Sequence, residues 1–558
     1  MKYVIKNISM ITAILLINAC GSGSSAGSAS SSAQNTQTTQ IDSEADPVET
    51  QEGSTAEDDS SDTYTDNSDD TSYGTDTGSL KSLKVKGWPS YVAMGTVTDN
   101  ASSLNTKLSE SKVDAIFKYA GNGFGNRGEV IDPSVTLQTI KQARDVEKIA
   151  SGKVMPTMVV YTANGSGGGV APEDILEYKN LLAHMRTLIR MCVSMQQQKD
   201  MLHPYPATIV LNADLFGEWQ KGKTYGNFQE SYCGGTDDRK CSKLKVIPIR
   251  KAMKEAIDLE KSYSYNNQAT VATLYDLELI KNKIDEDIQD TIKGWVDSQN
   301  FIIKTFSENV PFGWVINLWN PGSALWVHND YPKAAKEPGK EVADFVHWIG
   351  AYKASDYRPD FLVFDKYERD GFGAAGKPAY AFGSKEWKNY LLYVKYITDS
   401  VKTPAMLWQI PGGHMVSKQE DLSGEARLCS DNDTNGCFRH LDSGVFGGHS
   451  ASGGSFFMGD AKIGKNIENI REDVLDISLS PAVYHGADNV RALLEQDKAY
   501  DWSKPALDLV IDANAFSILW GGGETTGAVA ISTNQTGGYA WLARKIKAYE
   551  ESKKASIK

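Results

Sequence analysis

The stretch DFLVFDKYERDG, Asp360 to Gly371, sets four apolar residues, Phe361–Phe364, directly before Asp365, Lys366, Tyr367 and Glu368. A short run rich in aromatic and branched side chains reads as a buried β-strand. The acids at its end have two readings: a strand that has reached water, or one that aims carboxylates into a site. The pattern around the stretch decides between them.

Seven further runs have the same character. They are Tyr91–Val97, Ala115–Ala120, Val154–Thr162 and Ala207–Ala213 on the N-terminal side, Phe312–Trp319 just before the quoted stretch, and Ala405–Ile410 and Ala515–Trp520 after it. Between them lie amphipathic stretches at helical spacing, such as SVTLQTIKQARDVEKIA from Ser134, SKEWKNYLLYVKYITDSV from Ser384 and NIENIREDVLDI from Asn466. Another, from Pro172, opens with Pro and acids, a helix N-terminal signature. Eight strands alternating with helices over residues 81–558 predict a (β/α)8 TIM barrel, and Phe361–Asp365 is its sixth strand. A doubly wound open sheet is the competing fold. No GxGxxG or GxxxxGK[ST] follows any strand, which counts against it. Two long insertions, about 218–246 and 411–453, follow the fourth and seventh strands on the face where barrels carry their sites.

The net charge of −13 is unevenly placed. Residues 21–80 contain thirteen Asp and Glu and no Lys or Arg, so the rest of the chain is close to neutral. Nucleic-acid binding therefore lacks its basic footprint. The same stretch is rich in Ser, Thr and Gly and reads as a disordered, self-repelling tether. Before it, residues 1–20 carry Lys2, Lys6 and an apolar run, Ile8–Ile17, too short to span a bilayer, and end Ile17-Asn18-Ala19-Cys20. That ending resembles a bacterial lipobox, which implies export and lipidation of Cys20. The expected location is the cell envelope, and the absence of Asp after Cys20 resembles the pattern of lipoproteins sorted to the outer membrane or cell surface. Membrane contact is expected through the lipid alone. Export permits disulfides: Cys233 with Cys241 and Cys429 with Cys437 each flank a polar loop, whereas Cys192 lies in a helix-like run and reads as a buried thiol.

The expected strand ends gather a chemically suggestive set. The fourth ends at Asn212 and Asp214, with Glu218 beyond; the sixth ends at Asp365, with Glu368 beyond. The fifth ends Trp319-Asn320, the seventh Trp408-Gln409, the eighth at Trp520, the second at Tyr119 and the third at Tyr161. Carboxylates on two separate strands suit glycosidic cleavage, which uses one acid to protonate the leaving oxygen and a second on the other face of the sugar. Indole and phenol rings offer platforms for sugar rings, and Asn or Gln can bond hydroxyls. Each Trp serves a strand core as readily. His414, just after the seventh strand, is the histidine expected nearest the site; no HExxH or HxH group occurs.

The barrel pattern, the Trp-bearing strand ends and the separated carboxylates resemble the (β/α)8-barrel glycoside hydrolases in general. The resemblance implies hydrolysis of a polysaccharide or oligosaccharide, with Asp365 and Asp214 as the favoured catalytic pair and Glu218 and Glu368 in reserve. It implies sugar contacts from Trp319, Asn320, Trp408, Gln409, Trp520, Tyr119, Tyr161, Asn212 and His414. In one large clan of these enzymes an Asn-Glu pair ends the fourth strand and a Glu the seventh. Here the fourth offers Asn212-Ala213-Asp214 and the seventh no acid, so the resemblance stops at architecture. A noncatalytic glycan-binding lipoprotein is the alternative; a GxSxG elbow for an esterase is absent. No cofactor is required by this chemistry. Asp431, Asp433, Asn435 and Asp442 have the spacing of a calcium loop, a structural Ca2+ site if occupied, although the same polar pattern also makes plain turns.

Overall fold

The computed structural model describes residues 84–120, 128–150, 152–163, 172–220, 228, 231–234, 241, 243–265, 269–366, 372, 381–420, 451–522, 527–529 and 539–556. Eight parallel strands close into a barrel in sequence order: β1 Ala93–Val97, β2 Ala115–Tyr119, β3 Met155–Val160, β4 Thr208–Leu211, β5 Phe312–Asn317, β6 Phe361–Asp365, β7 Ala405–Ile410 and β8 Ala515–Trp520. The expected bounds of β6, β7 and β8 coincide with those observed. The other five strands are shorter than their apolar runs.

Strands buried on both faces require apolar residues at nearly every position, which is why these segments read as runs and not as alternations. One set of side chains, including Ala93, Phe117, Val159, Val210, Val315, Val363, Met406 and Leu519, fills the barrel interior. The alternate set, including Met94, Ile116, Met158, Leu211, Ile316, Leu362, Leu407 and Ile518, packs against the helical layer. Trp88 closes the bottom: its Nε1 donates to Thr208 Oγ1 at 3.1 Å and its ring meets Phe516 edge-on at 5.2 Å.

Helices Ser134–Ala150 and Ser384–Val401 have the expected bounds. NIENIREDVLDI, expected as one helix, forms two short turns, Ile467–Asn469 and Glu472–Leu475. Long-range pairing overrides its periodicity: Ile470 bridges Ser417, and Arg471 N donates to Val416 O. Cys233 and Cys241 form the expected disulfide, and Cys192 is a buried free thiol whose pKa burial pushes up to about 12. Cys20, the tether, and Cys429 with Cys437 lie outside the described residues, as do Glu368 and the calcium-like Asp431, Asp433, Asn435 and Asp442. Among the described residues, no helix is long and apolar enough to cross a membrane.

The quoted stretch uses its first acid for closure. Asp360, just below β6, accepts from Phe312 N at 3.0 Å and from Lys304 Nζ at 2.6 Å. Tyr352 OH donates to Phe361 O at 2.6 Å. These bonds fix β6 to β5 at the bottom and so set the height of Asp365 at the top. Close packing of the two strands also depends on Gly313, where a Cβ would collide with Phe361 O. Gly313→Ala should cost about 1–3 kcal/mol in urea unfolding. Gly152→Ala, which meets nothing within 4 Å, should stay within about 0.5 kcal/mol of the parent.

Candidate active site

At the C-terminal mouth, β5, β6 and β7 carry Asn317, Asp365 and Trp408 side by side in register. The Asn317 amide joins the expected carboxylates. Its Nδ2 donates to Asp365 Oδ2 at 2.9 Å and to Asp214 Oδ1 at 2.7 Å. Asp365 is 2% exposed, Asn317 is fully buried and Asp214 is half-buried. Bonds to an ionised acceptor contribute about 1.5–3 kcal/mol each, so one side chain ties three strand ends together.

Asn317 is itself held in place. Its N donates to Asn320 Oδ1 at 2.9 Å and its carbonyl accepts from Tyr393 OH at 3.1 Å. Asn320 Nδ2 in turn donates to Gln220 Oε1 at 3.1 Å. Tyr390 OH donates to Phe364 O at 3.1 Å, one residue before Asp365. Burial, with the Asp365 charge beside it, holds the Tyr390 hydroxyl protonated well above the usual tyrosine range.

Asp214 reaches Asn317 from a strained turn. Asn212 and Asp214 both have left-handed backbone, φ 52° and 68°. Such conformations cost about 1–3 kcal/mol each and persist where the surroundings enforce them. Here Asn212 Oδ1 accepts from Thr162 N at 2.7 Å and its Nδ2 donates to Thr162 Oγ1 at 2.9 Å. The Thr162 carbonyl accepts from His184 Nδ1 on helix Tyr178–Gln196. The turn then enters helix Leu215–Gln220, with Glu218 N donating to Asp214 O at 2.8 Å. Glu218 is half-buried in the first turn of that helix.

A third left-handed residue, Gln409 at φ 51°, lies where two β7 residues, Trp408 and Gln409, oppose one on β8. Such a bulge re-aims side chains at a barrel rim. Gln409 Nε2 consequently donates to Tyr119 OH. Tyr119 stacks on Tyr161 with centroids 6.4 Å apart and lies 6.1 Å from the Trp408 ring. Gly522, at φ 111°, passes close to the Tyr119–Gln409 pair.

Several expected sugar contacts have other surroundings. Trp520 faces outward from β8, its Nε1 3.4 Å from Met94 Sδ and its ring against Phe457. It is core because residues alternate between the two faces of a strand, and its inward neighbour is Leu519. Trp408 faces inward but is buried in the barrel interior, away from any exposed platform. Asn212 and Asn320 are buried and spend their amides on the backbone and side chains named above. His414 is buried, stacked on Trp541 at 4.3 Å, with Nε2 2.9 Å from Glu420 Oε1. Trp319 remains half-buried above Gly217, where a Cβ would come within 2.5 Å of the indole. The residue missed from sequence is Asn317. Its signal was the strand end: β5 stops at Asn317, two residues before the apolar run does, because the chain turns back there, with Asn320 N donating to Asn317 O at 3.2 Å. Among the described residues, no group of three or more His, Cys, Asp or Glu is arranged to hold a metal.

No protein-family model and no curated protein matches the chain. Solved structures similar to it include glycoside hydrolases. A β-glucosidase numbered 1317 aligns over 57% of this chain and 68% of its own at 10% identity, with a TM-score of 0.28. A family 1 β-glucosidase from Thermotoga maritima aligns over 83% and 98% at 9% identity, TM-score 0.31. A family 6 enzyme from Coprinopsis cinerea aligns over 72% and 85% at 12% identity, TM-score 0.26. At these scores the barrel rests on the chain's own strand pairing.

His184 gives the scaffold beneath the site a measurable acid limit. Burial lowers its pKa from 6.5 to about 4. The unfolded chain therefore binds a proton at a pH where the folded chain does not, and stability falls as pH drops from about 6.5 towards 4. The expected loss is about 3 kcal/mol. In urea unfolding across that range, His184→Gln should show a correspondingly shallower pH dependence.

Proposed function

We propose that this chain is an exported, lipid-anchored glycoside hydrolase acting on a polysaccharide or oligosaccharide. The observation that carries the reading is the convergence of Asp214 and Asp365, from different strands, on the Asn317 amide at the C-terminal mouth of the barrel. Chemistry in this fold is built at that mouth. Two carboxylates there can divide the work of glycosidic cleavage, one giving a proton to the leaving oxygen and one acting at the anomeric carbon. Left-handed backbone at Asn212, Asp214 and Gln409 supports a functional site, because strain concentrates where a side chain must be held in a working position. Tyr119, Tyr161 and half-buried Trp319 are the rings that suit a sugar. Carbohydrate is the expected partner, nucleic acid is not, and the membrane is reached through the Cys20 lipid, with a structural Ca2+ at Asp431–Asp442 as a separate proposal.

A glycan-panel screen for released reducing ends tests the activity. On a responsive glycan, Asp365→Asn and Asp214→Asn should each lower kcat by about 10²–10⁴-fold while retaining the parent circular dichroism. Full turnover by folded Asp365→Asn would remove the assignment. Retention of glycan by the parent without any reducing-end release would favour the glycan-binding alternative. For the anchor, metabolic labelling with a radioactive fatty acid should mark the parent chain and leave Cys20→Ser unlabelled.

A further inference from the structure

We infer that the barrel rests on a lipid bilayer by the face opposite its mouth, with the Met201–Leu202 loop set into the lipid surface. The inference rests on the lipid-anchored part of the proposed function and adds the face that meets the membrane.

That face lies at the N-terminal ends of β1 to β4. The segment entering β1, the turns before β2 and β3 and the loop before β4 meet there around one cleft, whose lining includes Gly87, Lys112, Ala150, Lys153 and Leu202. Met201 is 98% exposed and Leu202 70%. Ile149, in the last turn of helix Ser134–Ala150, is 53% exposed. Scattered apolar residues are ordinary on a surface, whereas a group of them marks a contact. The loop that carries two of these three is braced. Asp200 Oδ1 accepts from Leu202 N at 2.8 Å and from His203 N at 2.6 Å. The His203 ring lies between Asp200, 3.0 Å from Nδ1, and Glu147, 2.8 Å from Nε2. Met201 and Leu202 are thus held outward in a fixed loop, which lowers the ordering cost of inserting them.

Charge favours a lipid surface over a protein partner. Lys84, Lys86 and Lys153 are exposed and Lys112 is half-buried, and among the described residues none of the four pairs with a carboxylate. The acids nearby are already engaged. Asp145 pairs with Lys141 and Lys148, Glu147 with Arg144, and Asp200 with His203. Asp114 and Glu550 stand 2.8 Å and 3.1 Å from Tyr91 OH. Lysines left over beside exposed apolar side chains suit anionic headgroups. The chain from Cys20 also joins the barrel on this face, at Lys84. A lipid on Cys20 therefore keeps the face near a bilayer, so that a weak surface contact suffices. The parallel strands then point Asp214 and Asp365 away from the membrane, where a polymer can reach them.

The test uses the full-length lipidated protein in vesicles of phosphatidylethanolamine and phosphatidylglycerol that carry a doxyl-labelled lipid. Bimane on the Met201→Cys or Ile149→Cys variant should be quenched. Bimane on Leu325→Cys, which is 45% exposed beyond β5 on the mouth side, should not. Vesicle-bound protein without quenching at Met201, or with quenching at Leu325 instead, would overturn the inference and leave the anchor intact. Protein that fails to float with the vesicles would remove both. Leu202→Asp should lower the quenching at Ile149→Cys by at least about twofold while keeping the parent circular dichroism; equal quenching would count against insertion of the loop. Replacing phosphatidylglycerol by phosphatidylcholine should weaken quenching, and no change would overturn the role given to the lysines. A blue shift at Met201→Cys in detergent that grows with protein concentration would assign the patch to a second copy and overturn the inference.

Discussion

The amide of Asn317 can donate to Asp214 and Asp365 at once because β5 lies between the two strands that lead to them. Asp365 and Asn317 share a register level on adjacent strands, and Asp214 comes from the strand on the other side. With β6 slipped by one residue, Asp365 would turn to the opposite face and the amide would have one partner. The pairing of β5 with β6 also fixes height. Asp360 and Tyr352 tie the lower ends of β5 and β6, so the upper ends arrive level. A salt link at the bottom of the barrel and a carboxylate pair at the top are thus two ends of one short strand.

Three residues with left-handed backbone lie at this site. Asn212, Asp214 and Gln409 each adopt left-handed backbone, and each belongs to a hydrogen-bonded chain: Asn212 to Thr162 and His184, Asp214 to Asn317, Gln409 to Tyr119. Against about 1–3 kcal/mol of strain per residue, the neutral bonds of Asn212 and Gln409 contribute about 0.5–1.5 kcal/mol each and the bond to the Asp214 carboxylate about 1.5–3 kcal/mol, a size comparable to the strain. The exchange is favourable only where water is excluded, and the helical layer supplies that exclusion through residues such as His184, Tyr390 and Tyr393.

The barrel was legible because a doubly buried strand must be apolar at almost every position, so eight short runs separated by amphipathic helices had few other solutions. Asp365 was legible for the same reason: one charge at the end of such a run falls at the mouth. Sugar platforms were harder to read. Trp408 is fourth in β7 and Trp520 sixth in β8, and one lies inside the barrel and the other outside it, because the pairing shifts by one residue between Ala405 and Met406 and changes the parity of β8. That shift has no Gly or Pro within either strand to announce it. His414 and Asn320 each read in sequence as a polar group near a strand end, and each is bonded within the buried scaffold.

By itself the sequence determined the order of strands and helices, the acidic N-terminal stretch, the loop disulfide at Cys233 and Cys241, and the two acids most suited to the barrel mouth. Local composition suffices for these, since apolar periodicity and charge are properties of contiguous residues. Only the tertiary structure decided that Asn317, and not Asn320, stands between those acids. Which atoms meet depends on register, on where each strand stops and on the handedness of single residues in the turns, and these are set by contacts among residues far apart in the chain.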